Sequence, residues 1–454
     1  MSDGPAGGKS HFSARRRKRL GNPLGKRVVV IGGGVCGCAA SLRLARAGCD
    51  VVLLERSPNL GGLVVSFEIA GTPIECFYHH VFPNERDMLR LINEMGLGSR
   101  FEWRPSTVGV LRQDRIWPFT SAFDLLRFEP LPFIDRVKTG LGSVRLTGSD
   151  WRRFDRIGAR EWLRVATGDR AMEEIWDPLL RFKYGDAHAT VPASWMAARF
   201  RQRASARTLR GERLGYMRGG FRQLFDALTA ELERLGVSVR TGTGVKRIGI
   251  EERVVSGVEL DDGTFVEAED VLYAGQLPGV AGLVPPELAD PRWTAIGRLG
   301  AICIIVELAK PVTDVYWTNV CEDSVPFGAL IEHTNLVPAD DYGGRTIAYL
   351  GRYFTADDPV GAADVDVLAK DWLDALDDHL SAFSAGDVIA VHPFRTPYAA
   401  PLVTLGYRGK IPPITTSIDG LFIATTAQIY PEDRGMNEGL RLATTAVDHV
   451  LARR

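Results

Sequence analysis

A chain of 454 residues is longer than one ordinary domain, and its length predicts two or three. Apolar residues make up 45% and charged residues 24%, the balance of a globular protein with a substantial core. The net charge of −1 gives no electrostatic case for nucleic acid or for a strongly acidic partner.

Residues 1–25 read as a basic, disordered tail. Arg15-Arg16-Arg17-Lys18-Arg19 is followed by no apolar run, so a solvated tail is expected rather than a signal peptide. No stretch reaches the roughly 18 to 20 apolar residues of a membrane span, so no integral membrane segment is expected. The six cysteines are scattered without framework spacing, which predicts free thiols and a cytoplasmic protein. Cys36-Gly37-Cys38 lacks the spacer and second ligand pair of a metal motif, and no metal is expected.

Order is predicted from Lys26. Arg27-Val28-Val29-Val30-Ile31 is a strand of buried type, Ala39, Leu42, Leu44 and Ala45 mark a helix ending at Gly48, and Val51 to Leu54 is a second strand. That is one βαβ unit. The apolar block from Leu125 to Leu146 fits a packed helix pair, with a peripheral lipid contact or a cover for a lipophilic substrate as alternatives. Tyr216 to Ala274 repeats the α/β character. Gly219-Gly220-Phe221 opens a helix, and strands follow at Val237–Val239, Val254–Leu260 and Val271–Tyr273 with an Asp261-Asp262-Gly263 turn. A last strand at Leu421–Ala424 leads to a helix from about Gly435 to Leu451, with Pro431, Glu432 and Asp433 suited to a helix start. The intervening segments are richer in Trp, Arg and Pro. The expected fold class is therefore α/β (α+β overall), with one domain built from 26–100, 211–285 and 391–454. A second, substrate-binding domain, 101–210 and 286–390, is inserted into it.

Gly32-Gly33-Gly34-Val35-Cys36-Gly37 fits G-x-G-x-x-G between the first strand and its helix. In that context Gly32 permits the tight turn, Gly34 lets backbone approach a pyrophosphate, and Gly37 lets helix and strand pack closely. The helix N-terminus offers unpaired N–H groups to phosphates. Glu55 ends the second strand, where an acid accepts hydrogen bonds from an unphosphorylated ribose. This is a Rossmann-type dinucleotide site.

Arg56-Ser57-Pro58-Asn59-Leu60-Gly61-Gly62 then follows Glu55 directly. The run from Gly32 to Gly62 resembles the FAD signature of the amine oxidase superfamily, which includes protoporphyrinogen oxidase, phytoene desaturase and monoamine oxidase. The segments Tyr216 to Phe221, Trp176 to Gly185, Pro326 to Asn335 and Gln428 to Asn437 also look like parts of a protoporphyrinogen-oxidase-like subgroup. The resemblance implies FAD held by Gly32, Gly34, Val35, Cys36, Gly37, Glu55, Arg56, Gly61, Gly62 and Leu63. It adds Val245 at the adenine end and His80, Thr426, Arg434, Gly435, Met436 and Asn437 toward the flavin. Two departures stand out. Relatives place Gly-Asp or Gly-Glu after the last strand, where this chain has Ala424-Thr425-Thr426-Ala427-Gln428, and Leu63 replaces a frequent arginine. No second G-x-G-x-x-G follows a strand, so electrons are expected from a small organic substrate and pass to oxygen, a quinone or another acceptor.

Three groups are candidates for the chemistry. His79 and His80 lie on a loop that passes beside the flavin in relatives, and adjacent histidines point apart, so at most one of them is expected to face the ring, with a structural hydrogen bond or an exposed imidazole as the alternative. Lys183, flanked by Trp176, Leu179, Leu180, Phe182 and Tyr184, is a candidate for desolvation, with a snorkelling surface lysine as the alternative. Tyr430 either walls the pocket or packs. The expected activity is that of an FAD-dependent dehydrogenase, oxidase or desaturase. The alternatives are a redox-neutral sugar-nucleotide mutase, its diphosphate held by Arg199, Arg201, Arg203 and Arg207, and a flavin scaffold without catalysis.

Overall fold

The computed structural model describes residues 25–148, 150–208 and 211–453. The basic run at 15–19 lies outside them, as do the side chains at 206–211. Five strands form a parallel sheet in the order Ser238–Arg240, Asp50–Leu54, Arg27–Ile31, Asp270–Tyr273, Leu421–Ile423. Parallel strands joined by helices are covered on both faces, which is why Val28, Val29 and Val30 in succession are wholly buried. The glycine turn follows the central strand, and the helix Val35–Arg46 crosses to Asp50–Leu54.

The C-terminal helix Met436–Ala452 packs on Val35–Arg46. Small residues permit the approach: a Cβ added to Gly439 would stand 3.1 Å from Val35 Cγ1. At the opposite end of the sheet Asp270 is fully buried and ion-paired to Lys26 Nζ at 2.5 Å and Arg453 at 2.8 Å. One carboxylate thus ties the start of the first strand to the end of the last helix.

The second large element is a seven-stranded sheet in the order Val388–Pro401, Arg298–Leu308, Thr346–Thr355, Ala329–Glu332, Trp317–Val320, Val108–Arg112, Arg115–Pro118. Its pairs are antiparallel except Trp317–Val320 with Val108–Arg112. Val388–Pro401 pairs with Arg298–Leu308 along its length, so the boundary expected at 390/391 falls inside a strand. Likewise Phe101–Ser106 pairs with Gly211–Met217, across the boundaries expected at 100/101 and 210/211.

The block at 125–146 forms two helices, Ala122–Leu126 and Phe133–Thr147, joined by a turn that buries Phe128 and Leu131. The expectation of an ordinary packed pair needs correction. Thr139, Gly142 and Leu146 are the buried residues of the longer helix, while Phe133, Ile134, Leu141 and Val144 stand exposed. Among the described residues no helix is long and apolar enough to cross a membrane.

Replacing Asp270 by alanine would leave two cations facing each other across a buried gap. Removal of one partner of such a cluster costs about 3–5 kcal/mol, so Asp270→Ala should lower the thermal midpoint far more than Asp270→Asn, as differential scanning fluorimetry would record.

Candidate functional site

Local chain geometry builds one half of the site. A Cβ on Gly37 would lie 1.8 Å from the Gly32 carbonyl oxygen, so only glycine lets the helix start this close to the strand. At Gly34 an added Cβ meets nothing within 4 Å. That open space lies before the helix N-terminus, whose first N–H groups lack intrahelical acceptors. Gly61 N donates to Gly33 O at 2.9 Å, and Gly61 and Gly62 adopt φ of +131° and +59°, laying the second glycine pair across the turn. Leu63 follows half-buried.

Glu55 binds this cradle together. Its Oε2 accepts from Gly33 N at 2.6 Å and its Oε1 from Ser57 N at 2.7 Å. Thr243 N donates to Glu55 O, and Gly242 N to Ser57 O, both at 2.8 Å, and a Cβ on Gly244, next to buried Val245, would stand 3.3 Å from Arg56 Nε. Burial pushes the Cys36 thiol up to about 12, which leaves it inert.

A second helix N-terminus meets the first. Gly435 caps Met436–Ala452 with extended backbone, and Cys36 Sγ lies 3.6 Å from Ala424 O. Asn437 Oδ1 accepts from Asp87 N and Met88 N at 3.0 and 3.3 Å, so its side chain caps the helix Arg86–Glu94 while its backbone stays at the site. After the last strand, Gln428 is committed to Thr425 N and Pro412 O, and Thr426 hydrogen-bonds Tyr398. Thr425 is buried directly after the last strand and closes a capping box with Gln428. The helix starts at Met436 rather than at Pro431. Residues 431–435 run irregularly and turn Asp433 and Arg434 inward, so the acids expected at a helix start serve elsewhere.

Asp433 gathers the other half. Lys183, on the helix Asp177–Tyr184, places Nζ 2.5 Å from Asp433 Oδ2, and Arg199, on Ala193–Ala206, lies 3.6 Å from it. Burial works to raise the Asp433 carboxyl, and Lys183, Arg199 and Arg434 override it and hold it well below the usual carboxylate range. Burial likewise lowers Lys183, with Asp433 opposing. Aromatic faces enclose the ammonium: Trp195 at 4.6 Å, Tyr353 at 5.6 Å and Tyr184 at 5.9 Å. Of the two readings of Lys183, the side chain is desolvated here, and the partner that stabilises its charge is Asp433. Arg434 donates to Ala399 O and, at 3.2 Å, to Tyr353 Oη. Burial works to raise the Tyr353 phenol, but Arg434 and Lys183 outweigh it and lower it.

The two histidines do point apart. His79 Nδ1 sits 2.6 Å from Phe77 O, an acceptor, so Nδ1 carries the proton and Nε2 is left as acceptor. His80 Nδ1 sits 3.2 Å from Tyr316 Oη, with the Trp317 ring edge-on at 6.1 Å. Burial lowers them to about 4 and about 3, aided by Arg434 at His79 and by Arg203 at His80, so both are neutral at pH 7. Tyr430 is not brought to this group. Its hydroxyl is bound by Ser194 at 2.5 Å and by Asp155, and its ring packs on Tyr407, which makes it a packing residue. Of the arginine series, Arg199 and Arg203 face the chamber, Arg203 pairing with buried Glu212 at 3.3 Å, and the Arg207 side chain lies outside the described residues. Tyr353, Trp195 and Tyr316 were not foreseeable from sequence. Each reaches the chamber from a distant segment, and no local pattern marks them.

The family model of flavin-containing amine oxidoreductases matches residues 35–432. Coproporphyrinogen III oxidase of Propionibacterium freudenreichii is 27% identical over 352 residues, covering 63% of this chain and 64% of that protein. The 15-cis-phytoene desaturase of Capsicum annuum is 24% identical over 319 residues, covering 64% of this chain and 53% of the desaturase. The chain thus spans between half and two thirds of the length of these relatives. A reduced UDP-galactopyranose mutase shares the fold, with a TM-score of 0.73 at 15% identity and 94% of each chain covered. The glycine cradle and the paired helix N-termini fit the cofactor of this family, FAD. With most of its length matched by that model, the chain belongs to the flavin-containing amine oxidoreductases.

Proposed function

We propose that the protein is an FAD-dependent oxidoreductase that takes a hydride from a small organic substrate, in the manner of a dehydrogenase, oxidase or desaturase. The observation that carries this reading is the continuity of cradle and chamber. Val35, at the start of the first helix, touches Gly439 of the last, and Arg434 stands beside the Gly435 cap and the Lys183–Asp433 pair. Bound FAD supplies a ring that accepts a hydride and a pair of electrons. The N–H groups of Gly34, Val35, Cys36 and Gly37 would hold its pyrophosphate, Glu55 and Arg56 its ribose, and Val245 its adenine. Gly61, Gly62 and Leu63 would line the stretch between. Thr425 or Thr426 would serve the ribityl chain, with Gly435, Met436 and Asn437 at the ring and His80 beside it.

The chain's own residues set the chamber's chemistry. His79 Nε2 accepts a hydrogen bond from a substrate without becoming charged, because burial keeps the imidazole neutral. Lys183 and Arg434 add positive charge where a reduced ring is negative. Trp195, Tyr353 and Trp317 form flat apolar walls that exclude water from the reacting bond. The six cysteines are all unpaired, which supports a cytoplasmic location. The mutase reading is weaker. Arg199 and Arg203 are already committed to Asp433 and Glu212, so a diphosphate would have to displace both pairs.

The visible spectrum of the purified protein should show oxidised flavin, released on heating as FAD, and an anaerobic substrate screen should bleach it. Retained FAD that no substrate reduces would favour a scaffold. A protein that neither carries nor takes up FAD would overturn the reading. Gly34→Ala should keep the thermal midpoint of the apoprotein, because the space is open, yet weaken FAD binding about tenfold or more by blocking phosphate approach, as flavin fluorescence titration would show. Gly37→Ala should damage folding and binding together. Lys183→Met should retain FAD but slow anaerobic flavin reduction by about a hundredfold, with Lys183→Arg recovering part of the rate. Unfolded imidazoles take up protons near 6.5, whereas native His79 does so only at about 4, so acid favours unfolding across that window. The thermal midpoint should fall as pH drops from 6.5 toward 4, and less steeply in His79→Asn, which keeps a donor for Phe77 O.

A further inference from the structure

The helix Phe133–Thr147 is amphipathic in the wrong sense for a packed element. Its inner side carries Thr139, Gly142 and Leu146, and Gly142 lies so close to the next helix that a Cβ would meet Ala166 O at 2.3 Å. Its outer side carries Ile134, Leu141 and Val144, at 79%, 70% and 74% exposure, spaced seven and three residues apart and hence in one stripe. The adjoining helices Ala122–Leu126 and Ala159–Thr167 add Phe123 and Val165, both exposed. Nine of the fifteen exposed large apolar side chains of the described residues lie between Phe123 and Val165. Single exposed apolar residues need no explanation, but this concentration in under a tenth of the chain does.

The charges beside the stripe name its partner. The helix holds three bases, Arg136, Lys138 and Arg145, against one acid, Asp135, in a chain whose net charge is −1. Lys138 and Arg145 each lie four residues beyond a stripe residue, on its flank, and both are exposed. Arg136 is occupied internally, donating to Leu131 O and Leu126 O, which fixes the turn between the two helices. Arg127 lies 3.9 Å over the Phe123 ring. A two-fold contact with a second copy would set these bases against their own images, which disfavours self-association. At fifteen residues the helix is too short to span a bilayer and suits the interface plane.

We propose that this face docks on the anionic surface of a membrane, the stripe seated at the acyl boundary and Lys138 and Arg145 at phosphate level. The same helix packs on Ala193–Ala206, whose Arg199 and Arg203 face the chamber, so lipid and reaction chamber would lie on the two sides of one helical layer.

The test uses the full chain and sedimenting vesicles of phosphatidylcholine with about a third phosphatidylglycerol. The wild type should pellet with them and bind pure phosphatidylcholine vesicles more weakly. Ile134→Glu/Leu141→Glu/Val144→Glu should lose roughly tenfold or more of that binding while keeping its circular dichroism and thermal midpoint. Lys138→Glu/Arg145→Glu should bind several-fold more weakly and show a shallower dependence on salt. Because both variants keep the basic residues at 15–19, equal pelleting of wild type and the triple variant would overturn the proposal and assign binding to that run. A wild type that stays in the supernatant would overturn it as well. So would a wild-type dimer in sedimentation velocity that the triple variant abolishes, which would give the face to a second copy.

Discussion

The chamber depends on the convergence of charge at Asp433. A lone carboxylate so buried would take up a proton, and Lys183 or Arg434 buried alone would be as costly. Each charge is tolerable because the others are there. Lys183 arrives on one helix, Arg199 on another, and Arg434 is the chain neighbour of Asp433 itself. Through Tyr353 and Ala399, Arg434 also fastens this group to two strands of the seven-stranded sheet. The inserted helices, the large sheet and the C-terminal turn are thus held at one point by electrostatics, where apolar packing alone would leave their relative placement loosely specified.

Three cations against one anion leave the chamber with excess positive charge, and its neighbours respond. Tyr353 is drawn down, Asp433 stays ionised, and His79 and His80 stay neutral because burial and the arginines act in the same direction. The histidines therefore offer fixed hydrogen-bonding atoms rather than charge. That division of labour suits a site in which the redox cofactor supplies the chemistry and the protein supplies orientation and field.

What the sequence made legible follows from how local each feature is. Gly32 to Gly37, Glu55 and the Gly61-Gly62 pair lie within thirty-one residues, and their contacts are mostly with one another, so spacing alone conveyed the cradle. Lys183 was legible as a candidate for desolvation, but of the rings that enclose it only Tyr184 is local. Tyr353, Trp195 and Tyr316 were not legible, since strand pairing and helix packing bring them in from afar. Whether Tyr430 walls the pocket or packs was not legible for the same reason, its hydroxyl answering to Ser194 and Asp155 far back in the chain. Periodicity marked an apolar face on residues 133–147 but could not say which way it turned. Small residues at Gly142 and Ala166 let the helices pack on their polar side, and the apolar stripe was left outside.

The replacement of the usual acid after the last strand can be understood from the same electrostatic frame. Contacts run unbroken from the Gly34 cap through Val35 and Gly439 to the Gly435 cap, and then through Arg434 to Asp433. Two helix N-termini give this path a positive character along its length. An acid at Thr425 would add a second buried carboxyl, and its desolvation would fall on the helix N-termini because Arg434 and Lys183 already serve Asp433 and Tyr353. A hydroxyl can offer the same kind of hydrogen bond without that cost, and Thr425 stands buried there in its capping box with Gln428. The neutral residue at 425 and the charge cluster at 433 thus lie along one connected path, with the buried carboxylate of this site at Asp433 in the wall of the reaction chamber.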